Sequence, residues 1–272
     1  MAEPVAEPTP PAPPYEATRL DLLWAFIVWG VSGGFLLLLE YSFRLLLLLS
    51  GRGIPDVQLT QGAVILSLAV TFIMQVAGFV AAWLVVTRLG RRPFWRTLGW
   101  GWTPQFKLGH AVVLGFLMIG VAILSERILP HQETDLEKVL KMGLAARVVV
   151  AALAVMTAPF IEEIVYRGVI FSTIEGLMGK AAAVIFVTLL FALVHVPQYW
   201  GSVATIAAIL SLSFVLTLLR AWTGKLLPCV VTHLVFNGIQ AVVLLLAPQQ
   251  ALNTQSNQAA ITLIWRILGL GE

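Results

Sequence analysis

Residues 161–171 read IEEIVYRGVIF, two adjacent carboxylates and an arginine inside a run otherwise suited to lipid. Ionisable groups in such a run are expensive and call for a partner or a function. On a helix, residues four apart share a face, so Glu163 and Arg167 are neighbours, whereas Glu162 points about 100° away. A paired carboxylate stays ionised and quiet; an unpaired one in a low-dielectric cavity can take or give a proton. Glu162 is therefore the candidate base and Glu163 the ion-pair partner of Arg167. The competing reading is that all three only glue helices together.

Two further clusters follow. FALVHVPQ, residues 191–198, places Phe191 and His195 four apart at the end of an apolar stretch. If the chain reverses at Gly179, Glu162 and His195 stand 17 and 16 residues from the turn on antiparallel helices, at nearly the same height. HLVFN, residues 233–237, aims His233 and Asn237 the same way from one apolar span. Taken alone, that pair could equally be an interhelical hydrogen bond worth about 0.6–2 kcal/mol.

A carboxylate and a histidine at one level can position and deprotonate water, and a second histidine with an amide donor can stabilise the oxyanion formed at a carbonyl. This set suits amide hydrolysis. A divalent metal such as zinc held by Glu162, His195 and His233 would use the same residues differently, since two histidines and a glutamate form an accepted open zinc shell. The metal-free version is favoured, because Asn237 is a poor zinc ligand and a good oxyanion donor. HExxH and GxGD motifs are absent. A proton-coupled transporter using Glu162 as a relay is a third reading.

The elements that must carry these residues are membrane helices. The chain of 272 residues is 59% hydrophobic and 11% charged, against about 25% charged in soluble domains. Its apolar runs exceed barrel strands and lack strict alternation, so the expected fold class is all-α, a polytopic transmembrane bundle of seven to eight spans. Spans are expected at 22–48, 61–87, 110–129, 146–177, 180–196, 202–220 and 226–247. Residues 259–270 form an interfacial helix or a short eighth span. The domain plan is a disordered Pro-rich tail over 1–20 without the basic region of a signal peptide, N-terminal helices over 21–145, a catalytic core over 146–247 and a C-terminal helix over 248–272.

Arg88, Arg91, Arg92, Arg96 and Lys107 crowd one loop, which the positive-inside rule places in the cytoplasm together with the N-terminus. Trp95, Trp100 and Trp102 in that loop suit interfacial anchoring. Glu40 and Arg44 are spaced to pair with each other; His110 and His131 fall at loop or interface positions. Lone Cys229 excludes an internal disulfide. The net charge of +3 arises largely from the one loop and gives no nucleic-acid face. Expected partners are membrane lipid and a membrane-anchored peptide or protein substrate, in a multi-pass protein of the cell membrane.

The order EExxxR, FxxxH, HxxxN on successive membrane helices resembles the CAAX protease and bacteriocin-processing (CPBP, or Abi) family of intramembrane proteases, over about residues 146–247. That resemblance implies catalysis by Glu162, with Glu163 and Arg167 completing the first motif. It further implies water activation assisted by His195, and binding of the substrate carbonyl or oxyanion by His233 and Asn237. The family is similar to enzymes that trim the last three residues from prenylated CAAX proteins, and is often labelled metalloprotease although a metal-free mechanism has been argued for it. Some members are immunity or scaffold proteins, which gives an alternative from another class.

Overall fold

Helices account for every regular element of the computed structural model, which describes residues 18–50 and 60–248. Helix α1 (Arg19–Trp29) starts at Thr18, whose hydroxyl accepts from the Asp21 amide while the Asp21 carboxylate accepts from the Thr18 amide. These bonds satisfy donors that a helix start leaves open. A π turn, Gly30–Gly34, kinks the chain into α2 (Phe35–Leu49), and Gly33 sits there at φ +131°, a conformation suited to glycine. The straight α3 (Gln61–Thr87) follows, then the short α4 (Phe94–Thr97), α5 (Leu108–Ile128) and α6 (Asp135–Lys141).

One long, twice-interrupted helix carries the EExxxR motif. It runs through α7 (Leu144–Ala152), a π turn at Leu153–Thr157, α8 (Ala158–Glu163), a second π turn at Ile164–Ile170 and α9 (Phe171–Met178). Gly179, at φ +86°, ends it and starts the antiparallel α10 (Lys180–His195), the reversal expected from the sequence. Helices α11 (Val203–Thr223) and α12 (Leu227–Leu246) complete the bundle. One core joins α1, α3, the EExxxR helix and α10 around Val28, Ile164, Phe171 and Val187; the other joins α5, α11 and α12 around Ala111, Leu216 and Cys229.

Six of the described helical stretches are long and apolar enough to cross a membrane. The count differs from the seven expected because α10 has only 16 residues. At 1.5 Å per residue it rises about 24 Å, less than a hydrocarbon core of about 30 Å. The 259–270 stretch, residues 1–17 of the expected tail and the Arg44 side chain lie outside the described residues; Arg19 and Leu20, expected in the tail, already belong to α1. The basic loop is fastened to the end of the bundle where α11 meets α12: Arg220 donates to Leu98 O at 3.0 Å and the Leu226 amide to Gly99 O at 3.1 Å. Trp95 and Trp100 pack on Phe160, two residues before Glu162, with ring centroids 5.9 Å away in each case. They are thus also part of the protein's own packing.

Candidate active site

The two adjacent glutamates occupy different surroundings. Glu163 is fully buried, and its Oε1 accepts from Arg167 Nη1 at 3.0 Å and from His233 Nδ1 at 2.9 Å. Arg167 is equally buried. Its Nη2 donates to Ser213 O and Oγ at 3.1 and 3.0 Å, its Nε to Thr217 Oγ1 at 3.3 Å, and its guanidinium lies 4.5 Å over the Phe191 ring. Buried charges are tolerated when paired and hydrogen-bonded in this way. Ser213 and Thr217 escaped the sequence reading, because the same helix also carries Thr205, Ser211 and Thr223 and its hydroxyls do not single out one pair.

Glu162 turns away from this knot into a cavity of ≈ 280 Å³ whose walls include His195, Tyr166, Gln75 and Gln198. Its side chain is 25% exposed, and its Oε2 stands 3.9 Å from His233 Nε2. His195 Nδ1 donates to the Phe191 carbonyl at 2.7 Å, which leaves Nε2 as the ring's acceptor when the imidazole is neutral. Phe191 also stacks obliquely on His195 at 4.6 Å, so the first residue of FxxxH holds the histidine by both ring and carbonyl. On the other side Tyr199 stacks on His195 at 6.5 Å. Desolvation, then the charges of Glu162 and Glu137, push the Tyr199 phenol up to about 12, so it remains a neutral neighbour.

The third motif closes the site from α12. His233 is 3% exposed and bridges the two glutamates, with Nδ1 on Glu163 and Nε2 facing Glu162. Asn237, one turn on, donates from Nδ2 to Ala154 O at 2.8 Å, inside the π turn that precedes α8. The structure therefore brings Glu162, Glu163, Arg167, His195 and His233 together, and ties Asn237 to the backbone leading into them. His233 and Asn237 are not among the residues that line the cavity. Among the described residues no group of three His, Cys, Asp or Glu side chains converges as a metal shell. His233 Nδ1 is engaged by Glu163 and His195 Nδ1 by its own helix, which leaves the two Nε2 atoms and the Glu162 carboxylate as the groups that could hold an ion, and no step below is routed through one.

Residues 144–239 match the family model of the type II CAAX prenyl endopeptidase, Rce1-like. The chain carries an Rce1-like segment. All three motifs fall within it, at 162–167, 191–195 and 233–237, consistent with the CPBP family. It covers about a third of the chain, and no curated protein or solved structure matches. The family points to an intramembrane protease, and the six apolar helices agree with a multi-pass membrane protein. Outside the Rce1-like segment the cavity still draws on the protein: Ser32, Gly33, Leu36 and Leu37 at the α1/α2 kink, and Val70, Met74 and Gln75 on α3, are among its walls.

Proposed function

We propose that the protein hydrolyses a peptide bond of a membrane-associated, CAAX-type substrate with water activated by Glu162 and His195. The observation that carries this reading is the division between neighbours: Glu163 is saturated by Arg167 and His233, while Glu162 and His195 share one cavity wall. Water held between the Glu162 carboxylate and His195 Nε2 gives its proton to Glu162 as its oxygen attacks the scissile carbonyl carbon. His233 holds Glu163 through Nδ1 and turns Nε2 to the side of Glu162, where it supports the charge developing on the carbonyl oxygen. Collapse of the tetrahedral adduct breaks the C–N bond, and the proton on Glu162 passes to the leaving amine. The products are a carboxylate and an amine. Asn237 acts in this arrangement by fixing the backbone at Ala154, one turn ahead of α8.

The reading is tested with purified full-length protein in bilayer discs and a library of membrane-anchored peptides, farnesylated CAAX peptides among them. Turnover is expected, falling about 10²–10⁴-fold in Glu162→Gln with thermal stability unchanged, because the amide keeps the shape and removes the proton acceptor. Full turnover by Glu162→Gln would overturn the assignment of the base. Absence of turnover across the library would favour a scaffold or immunity role for the same fold. The expected orientation, with the Arg88–Lys107 loop in the cytoplasm, is checked by a cysteine at Arg92: labelling by an impermeant thiol reagent outside intact cells of the expressing strain would reverse it.

A further inference from the structure

The site needs more on its carbonyl side than the three motifs supply. Asn237 spends one of its two amide protons on Ala154 O, and, like His233, it is not among the residues facing the cavity where Glu162 stands. A peptide carbonyl entering that cavity would find an apolar wall on the α3 side, formed by Val70 and Met74, with two polar groups in it, Thr71 and Gln75. Gln75 lies in the middle of a 27-residue apolar helix, and polar side chains so placed face the interior of the bundle and mark functional paths. Its carboxamide is also oriented. Thr157 Oγ1 donates to Gln75 Oε1 at 2.5 Å. The same hydroxyl also stands 3.0 Å from Leu153 O, a second acceptor on its own helix. With Oε1 turned to Thr157, Nε2 carries two protons that no described group accepts.

We infer that Gln75 is a catalytic residue whose Nε2 donates to the scissile carbonyl oxygen of the substrate, beside His233 Nε2, and that Thr157 is the positioning residue that aims it. A neutral amide suits this place: it stabilises an oxyanion without adding a charge that Glu162 would have to share. The assignment brings α3, outside the Rce1-like segment, into the chemistry, and explains why the chain keeps a π turn where Thr157 can reach across to α3. Gln75→Leu leaves Thr157 with Leu153 O as an acceptor at 3.0 Å, so the substitution strands no donor.

The inference rests on the hydrolytic reading for its turnover arm and is free of it in its binding arm. In the binding arm, full-length Glu162→Gln protein in bilayer discs is titrated with a farnesylated CAAX peptide and with its analogue carrying a thioamide in place of the scissile amide. Sulfur accepts hydrogen bonds weakly, so the oxygen peptide should bind about tenfold more tightly. Adding Gln75→Leu should abolish the preference and Thr157→Val should shrink it. In the turnover arm, Gln75→Leu should lower kcat about 100-fold with little change in KM, and Thr157→Val should add nothing to it. Gln75→Leu and Thr157→Val remove the same interhelical bond and should lose the same small amount of thermal stability, whereas only Gln75→Leu should lose kcat in full, which a glutamine that merely joined helices would not allow. A Glu162→Gln protein that treats the two peptides alike, or wild-type kcat in Gln75→Leu, overturns the role of Gln75 while leaving hydrolysis standing. A Gln75-dependent preference in a protein that never turns over overturns hydrolysis and leaves the contact standing.

Discussion

Two polar knots in this protein each join a histidine, glutamate and hydroxyl groups, and they differ in the arginine at the centre of one and in where they sit. In the first, His233, Glu163 and Arg167 are sealed inside the bundle with Ser213 and Thr217. In the second, at the end of the bundle, His131 lies 3.2 Å from both Glu126 and Glu137 and 2.9 Å from Ser202, and Thr205 donates to Glu126 at 3.1 Å. The side chains of His131, Glu126 and Glu137 are 16%, 21% and 31% exposed, while those of Glu163 and Arg167 are 0% exposed. A carboxylate in the first knot has only its partners to lean on. In the second, water shares the load, and the knot acts as a clasp between the loop after α5 and the start of α11, reinforced by the Ala204 amide on Pro130 O. The arginine and the burial together separate the two.

The largest expected difference is at Glu163. Glu163→Gln strands Arg167 and His233 without a counter-charge, and breaking such a buried pair costs about 3–5 kcal/mol, so the yield of folded protein should collapse. Adding Arg167→Gln should restore part of it. If Glu163→Gln and Glu162→Gln are equally well folded and equally inactive, the division of labour between them is wrong. At Asn237, which is only half-buried, Asn237→Ala removes one interhelical bond and should reduce thermal stability by about 0.6–2 kcal/mol, with a fall in kcat smaller than that of Gln75→Leu. A larger kcat loss than that of Gln75→Leu would return the carbonyl-binding role to Asn237. At the outer knot, His131→Gln should cost about 1 kcal/mol or less and leave kcat unchanged. The smallest effect is ionic: raising salt from 0.05 to 0.5 M should weaken the clasp detectably by proteolysis near residues 129–134 and leave the inner knot untouched.

Much of the inner arrangement was legible in the residues themselves, because it depends on local spacing. Glu163 and Arg167 pair at four residues' distance, and the reversal at Gly179 sets Glu162 and His195 at a common level. The rest depends on which helices become neighbours. That Ser213 and Thr217 hold Arg167, that His233 spans both glutamates, and that Gln75 reaches the cavity are facts of packing between elements 40 or more residues apart in sequence. The two π turns flanking α8 were hidden for a different reason: a single widened turn leaves the apolar pattern of a long helix almost unchanged. α10 read as a full span because its apolar run continues through Val196 to Pro197, where the helix has already ended.

That helix has a consequence for the lipid. Its 16 residues leave it several ångströms short of the hydrocarbon thickness, and a bilayer meets a short apolar segment by thinning around it. His195 is its last residue, so the thinned region lies at the histidine that the hydrolytic reading assigns to water. A reaction that consumes water within a membrane is limited by the supply of water to its centre. On the hydrolytic reading, a bilayer thinned at that end would shorten the path of water to the cavity that His195 lines.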